Sequence, residues 1–360
     1  MMKGIGNFVV ALAVCACAGG ARAQVTIETV TVGNPGNTGE LSGAGAGGFG
    51  PDRICGAVDY VYNIGKFEVR AGRYTEFLNA VAKTDTCDLY NTSMWSSSQG
   101  CKIERTGSSP NYSYSVAADW ADRPVNFVSW GDAARFANWL HNGQPAGAQD
   151  LTTTEDGSYF LNGATSNAAL LAVVREPDAT WVIPSEDEWY KAAYHKNDGV
   201  TGNYWDYPTG TNSLPSHYLI DPDPGNNATF WNNGYTIGSP YYRTQVGAHE
   251  NSDSPYGTFD QGGNVWEWNE AVLHGSYRGV RGGSFYSIYV VTLQAAYRNY
   301  HYGPADEGYG VGFRVAEVPE PATIALLALG GVGVLGRRAR VRRARPAATR
   351  PPLNGATEGG

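Results

Sequence analysis

Cysteine is scarce in this chain, with five in 360 residues, and no Cys or His grouping falls at the spacing of a zinc site, so a structural zinc framework is not expected. The six histidines (His141, His195, His217, His249, His274 and His301) form no His-x-His or His-x-x-x-His pair, which removes the local iron signatures. No Gly-x-Ser-x-Gly elbow and no phosphate-binding loop occurs, and with them go the sequence signatures of the serine hydrolases and nucleotide-binding enzymes. Charge is thin as well, at 17% of residues. Its balance is one-sided: residues 24–318 hold 17 basic against 32 acidic side chains, a net −15 that argues against nucleic acid or anionic lipid as partner of the body.

What is present is aromatic and glycine-rich. Ten Trp, 23 Tyr and 47 Gly favour a loop-rich α+β body with short strands over a helical bundle. Met1-Met2-Lys3, the apolar run Phe8 to Ala18 and Ala21-Arg22-Ala23 have the layout of a secretory signal peptide over 1–23, cut before Gln24. Cys15 and Cys17 leave with it, and Cys55, Cys87 and Cys101 remain. Cys87 and Cys101 flank a polar stretch and are expected to close a disulfide, worth roughly 3 kcal/mol of unfolded-chain entropy; three unpaired thiols are the alternative.

At the other end, Val318-Pro319-Glu320-Pro321 leads into an apolar run, Ile324 to Leu335, and then into an arginine cluster, Arg337 to Arg343. The run is shorter than the roughly 20 residues that span a bilayer, and the arginines behind it favour the cytoplasmic side. That order over 318–343 resembles the PEP-CTERM sorting signal. The resemblance implies an apolar transmembrane helix over 324–335 in transient membrane contact, an exosortase-type sorting enzyme as partner, and a body sent to the envelope of a Gram-negative bacterium. A plain membrane anchor is the alternative. Residues 344–360, rich in Pro, Ala and Arg, read as a disordered tail.

Between these ends, residues 24–56 form a glycine-rich opening segment with too little apolar surface to offset its ordering. Alternation through Val58, Tyr60, Tyr62 and Ile64, and again at Phe67 and Val69, predicts a strand with a bulge at Gly65. Tyr74, Phe77, Leu78 and Val81 predict a core-facing helix over 73–83. Ser129 with Asp132 caps a second helix, whose inward face is Ala133, Phe136, Ala137 and Leu140. Thr154 to Tyr159 reads as a hairpin turn. Ser185 with Glu188 is a capping box opening a helix through Tyr194. Six prolines between residues 195 and 260 place long surface loops there.

The last third carries the motifs: Gly262-Gly263-Asn264-Val265-Trp266-Glu267-Trp268, Arg281-Gly282-Gly283-Ser284-Phe285 and Gly312-Phe313-Arg314. Two glycines before Asn allow a turn with positive φ. Trp-x-Trp sets both rings on one side of an extended segment and Glu267 on the other. With Tyr62 to Arg70, Arg123 to Trp130 and Trp181 to Trp189, these motifs resemble the formylglycine-generating (sulfatase-modifying factor) enzyme family over 57–317. The resemblance implies a single loop-rich α+β domain related to the C-type lectin fold. Val182 and Tyr194 stand where the family has arginines, so any salt-bridge network made by those arginines is not expected.

The resemblance also carries a site. Family members that make formylglycine place two cysteines after the Gly-Gly-Ser turn, where they bind copper and oxidise a substrate cysteine with oxygen. Ser287 and Thr292 occupy those positions, and a hydroxyl has neither the acidity nor the softness of a thiolate, so copper is not expected. By position, Asp260, the carbonyls of Gly263 and Val265, and Glu267 correspond to a family calcium site, an oxygen set suited to that ion; pairing of Glu267 with backbone amides or an arginine is the alternative. Two readings of function follow. The first is a non-catalytic module that binds an extracellular glycan or peptide in the former active-site cleft, floored by Trp266 and Trp268 and lined by Tyr286, Tyr289, Tyr297 and Tyr300, though the same rings also suit the fold core. The second is a divergent oxidase acting on protein cysteine.

Overall fold

A computed structural model describes residues 24–319; the expected signal peptide, the apolar helix 324–335, most of the sorting segment and the tail lie outside them. In chain order the elements are β1 (Thr29–Val32), β2 (Glu40–Ser42), β3 (Arg53–Cys55), β4 (Tyr62–Gly65), α1 (Ala71–Val81), α2 (Ser93–Ser96), β5 (Ile103–Thr106), β6 (Ser113–Val116), α3 (Ala118–Ala121), α4 (Trp130–His141), α5 (Asn167–Leu171), β7 (Trp181–Val182), α6 (Glu186–Tyr194), β8 (Trp266–Leu273), β9 (Tyr277–Arg281), β10 (Val311–Gly312) and β11 (Ala316–Glu317). They make a four-stranded sheet ordered β1-β4-β11-β7, a three-stranded sheet ordered β10-β8-β9, and the pairs β2-β3 and β5-β6.

The helices form where spacing and caps predict. Tyr74, Phe77, Leu78 and Val81 of α1 are buried, as are Ala133, Phe136, Ala137 and Leu140 of α4. Phe77 meets Phe136 edge-on at 5.3 Å, and Phe136 meets Phe313 at 5.4 Å, so the Gly-Phe-Arg motif closes the core between both helices. Each such ring contributes about 1.5–3 kcal/mol by leaving water. Both capping boxes are complete: Ser129 Oγ accepts from Asp132 N–H while Asp132 accepts from Ser129 N–H, and Ser185 and Glu188 repeat the exchange.

Four expectations are corrected. The opening segment is ordered, because β1 pairs with β4, Asn37 Nδ2 donates to Gly56 O at 2.8 Å, and Ser42 Oγ donates to Ala295 O at 2.7 Å. Its glycines serve close approach: a Cβ on Gly48 would lie 2.0 Å from Ala296 O. The predicted strand is confined to Tyr62–Gly65, the stretch that β1 and β11 can pair, and Phe67 leaves it to stack on Phe259 at 5.5 Å. Thr154 to Tyr159 is a set of turns hung on Asp150 O, which accepts from the amides of Thr153, Thr154 and Glu155. The disulfide does not form. Cys87 and Cys101 are free and buried in separate sites, Cys87 Sγ at 3.5 Å from Glu155 Oε1 and Cys101 Sγ at 4.0 Å from Asn126 O.

Candidate functional site

The last third builds its site on the β8–β9 hairpin. Gly263 and Asn264 turn the chain into β8 with φ of 91° and 53°, and Gly263 is required because a Cβ there would lie 2.3 Å from Thr229 O. At the far end of β9 a second glycine turn follows: Gly282 and Gly283 have φ of 94° and 78°, and a Cβ on Gly282 would lie 2.4 Å from Gln261 O. This turn gathers the two positions singled out by sequence. A Cβ on Gly283 would meet Thr292 Oγ1 at 2.8 Å and Ser287 Oγ at 3.3 Å.

Above that turn lies a shelf of tyrosines. Tyr286 packs edge-on to Tyr309 at 5.4 Å, Tyr235 lies 6.3 Å from Tyr286 and 4.9 Å from Tyr242, and Phe285 sits beneath all four. Tyr286 and Tyr309 are 44% and 38% exposed, and Tyr289 on the same loop is 67% exposed. None of these five phenol hydroxyls has a hydrogen-bond partner among the described residues. Phe285 is backed by Arg243, whose guanidinium lies 5.6 Å from the ring centre.

Residues 57–318 match the family profile described as the sulfatase-modifying factor enzyme 1-like domain. The chain belongs to that family. A second profile, the PEP-CTERM protein-sorting motif, matches residues 317–343 and marks an exported protein of the Gram-negative cell envelope, handled by an exosortase-type sorting system. No curated protein matches the sequence. Among solved structures, Treponema denticola variable protein 1 is 18% identical with a TM-score of 0.48, over 82% of this chain and 96% of its own. CarF is 18% identical with a TM-score of 0.45, over 82% and 99%. PvdO from Pseudomonas aeruginosa is 17% identical with a TM-score of 0.43, over 81% and 92%.

Within this sulfatase-modifying factor domain, the positions assigned to the family's cysteines hold satisfied hydroxyls. Ser287 Oγ accepts from Ser284 N–H at 2.9 Å, and Thr292 Oγ1 donates to Tyr289 O at 2.8 Å. One thiol does return to this region, which the sequence did not suggest: Cys55 Sγ lies 3.5 Å from Arg281 Nη2. It is fully buried, and burial pushes the thiol up to about 11 despite the neighbouring arginines, so it is held as an inert thiol.

The tryptophans are core. Trp268 is fully buried with Nε1 donating to Val128 O at 3.0 Å, and Trp266 packs against Tyr297 at 6.0 Å. Tyr297 and Tyr300 belong to a different stack, around Phe49 at 5.1 and 5.2 Å. The expected single cleft therefore divides: Tyr286 and Tyr289 stay on the exposed loop, Trp268 is interior, and Trp266, Tyr297 and Tyr300 form a second group.

The calcium set does not fit as the resemblance implied. Glu267 points away from the tryptophans, as expected, and spends its carboxylate on Arg314 Nε and Nη2 at 2.5 and 2.6 Å and on Trp189 Nε1 at 2.7 Å. A guanidinium thus neutralises the one ligand that closes the set. Asp260 accepts from Gly247 N–H at 2.6 Å, and burial pushes its carboxyl up to about 6. The neighbouring Glu68 has no hydrogen-bond partner on either oxygen; burial, then the charges of Asp260 and Glu267, hold it well above the ordinary carboxylate range, which favours the neutral acid. Among the described residues no three His, Cys, Asp or Glu side chains are grouped to hold a metal ion.

Sequence reasoning missed the ion network beneath this region. Glu186 is paired with Arg281 at 2.7 Å, Arg298 at 2.6 Å and Arg53 at 3.0 Å. Burial alone would raise its carboxyl, but the three guanidiniums outweigh it and hold it down at about 2. Arg175 bridges Glu188 and Glu270 at 2.8 Å each. A network exists although Val182 and Tyr194 stand where the resemblance places arginines; its cations come from β3 (Arg53), β9 (Arg281) and two loops (Arg175 and Arg298), and the only sequence signal was the acidic first turn of α6.

Proposed function

We propose that this protein is a non-catalytic, envelope-displayed binding module whose ligand is an extracellular glycan, held on the tyrosine shelf of Tyr235, Tyr242, Tyr286, Tyr289 and Tyr309. The observation that carries the reading is the pairing of a chemically quiet turn with an open aromatic surface. Ser287 and Thr292, the positions the resemblance assigns to the family's cysteines, converge at the Gly282-Gly283 turn, and both hydroxyls are hydrogen-bonded to backbone partners. Directly above, ring faces and free phenol hydroxyls are presented together, which suits a ligand with apolar faces and many hydroxyls.

The test is binding of purified protein to a glycan array, followed by titration of the best hit. Tyr286→Ala and Tyr309→Ala are each expected to weaken binding roughly three- to tenfold, the worth of one aromatic contact. A hit confined to peptides that the same substitutions abolish would transfer the site to a peptide ligand. Oxygen consumption with a cysteine peptide and added copper is expected to stay at background. Thiol-dependent uptake above it would replace this reading with that of a divergent oxidase.

A further inference from the structure

Fold and sorting motif share residues. The domain profile runs to Val318 and the sorting profile starts at Glu317; Glu317 ends strand β11, and Val318 just beyond it is still tied to the fold. Glu317 lies opposite Asn63 on one side and Trp181 on the other. Asn63 Nδ2 donates to Glu317 Oε2 at 3.1 Å, and Val318 N–H donates to Thr180 O at 2.8 Å. The Pro-Glu-Pro step begins at the next residue, Pro319. Because β11 is an interior strand, the chain leaves between two neighbours instead of from an edge.

Two consequences follow from chain geometry. Nothing upstream of Pro319 is free to enter a protease as an extended peptide unless β11 is withdrawn, and that would strip Phe313, Val315 and Ala316 from the core and separate Arg314 from Glu267. Five residues then separate Val318 from Ile324, where the apolar run begins, a span of at most about 22 Å. The folded body is therefore held against whatever grips the motif.

The surface it presents there is a groove of about 440 Å³ lined by Val61, Tyr62, Asn63, Thr180, Glu317 and Val318, with Val61 46% exposed. The geometry points to this groove as a docking face for the membrane-embedded sorting protease, read together with the Pro-Glu-Pro peptide. The protease is the occupant because a partner bound to the motif is kept at high effective concentration at the groove by so short a tether.

The test is pulse–chase processing of the full chain in a host that carries the sorting system. Val61→Glu and Thr180→Arg are each expected to slow conversion to the shorter form several-fold. In a second chain, with a flexible Gly/Ser linker inserted between Val318 and Pro319, the same substitutions are expected to have no effect, and the linker chain itself to be processed no faster than the natural one. Wild-type processing of the substituted chains would overturn the proposal. So would acceleration by the linker, which would make the body an obstacle instead of a docking partner. Thermal melts of the purified variants check folding; Val61 is exposed, so Val61→Glu decides the matter if Thr180→Arg melts early. The outcome is independent of ligand binding at the tyrosine shelf.

Discussion

At the residue scale the fold rests on buried arginines with dedicated carboxylates. Arg314 is fully buried and donates to Glu267, to Gly65 O at 2.8 Å and to Phe259 O at 2.9 Å. Arg314→Met alone leaves Glu267 buried without a counter-ion and is expected to cost about 3–5 kcal/mol in urea unfolding. The double variant with Glu267→Gln is expected to cost less than the two singles together; simple additivity would show that the pair is not one unit. With Glu267 so engaged, excess calcium is expected to leave the melting temperature at its value in chelator, and a calcium-dependent rise would return this carboxylate to a ligand set. The motifs holding Glu267 and Arg314 were legible in the sequence. Their mutual pairing was not, because period and spacing report which way a side chain faces and not what meets it from 47 residues away.

At the element scale, the helices were the most legible parts, since a cap and an apolar stripe are local features. The cap of α4 is also coupled to something distant: the buried carboxyl of Asp132 is paired with the half-buried one of Glu307. Burial pushes Asp132 up to about 6 even though its hydrogen bonds oppose the rise, and burial, then the charge of Asp132, push Glu307 up to about 8. Carboxyls raised on folding stabilise fully below their ordinary range, and that stabilisation is lost as pH rises through the raised values. The urea midpoint is therefore expected to fall between pH 6 and pH 8, and Glu307→Gln to flatten that fall; an unchanged slope would remove this pair from the account. Glu186 works with the opposite sign, contributing above the ordinary range and losing its contribution only as pH drops through about 2. The opening segment was misread because glycine content was equated with entropy. At Gly48 the missing side chain lets the backbone pass 2.0 Å, counted from its absent Cβ, above Ala296 O. Gly48→Ala is expected to cost about 1–3 kcal/mol by overpacking and to raise amide exchange in β2 and β3; protection equal to wild type would show that the segment accommodates the methyl.

At the scale of the whole molecule, fold class and address were legible because both are written in contiguous motifs, whereas the site was only half legible. Tyr286 and Tyr289 flank Ser287 in sequence, but Tyr235, Tyr242 and Tyr309 join them from remote loops. The four-stranded sheet has a further implication for how the chain comes into being. Its strands are residues 29–32, 62–65, 181–182 and 316–317, and the strand central to closure, β11, is the last to be made. The sheet has almost no local contacts of its own, so its completion must await nearly the entire domain. For an exported protein this delay is useful: until Glu317 has emerged there is no finished sheet to jam a translocation pore, and once it has, the closing strand locks the body at the point where the sorting motif begins.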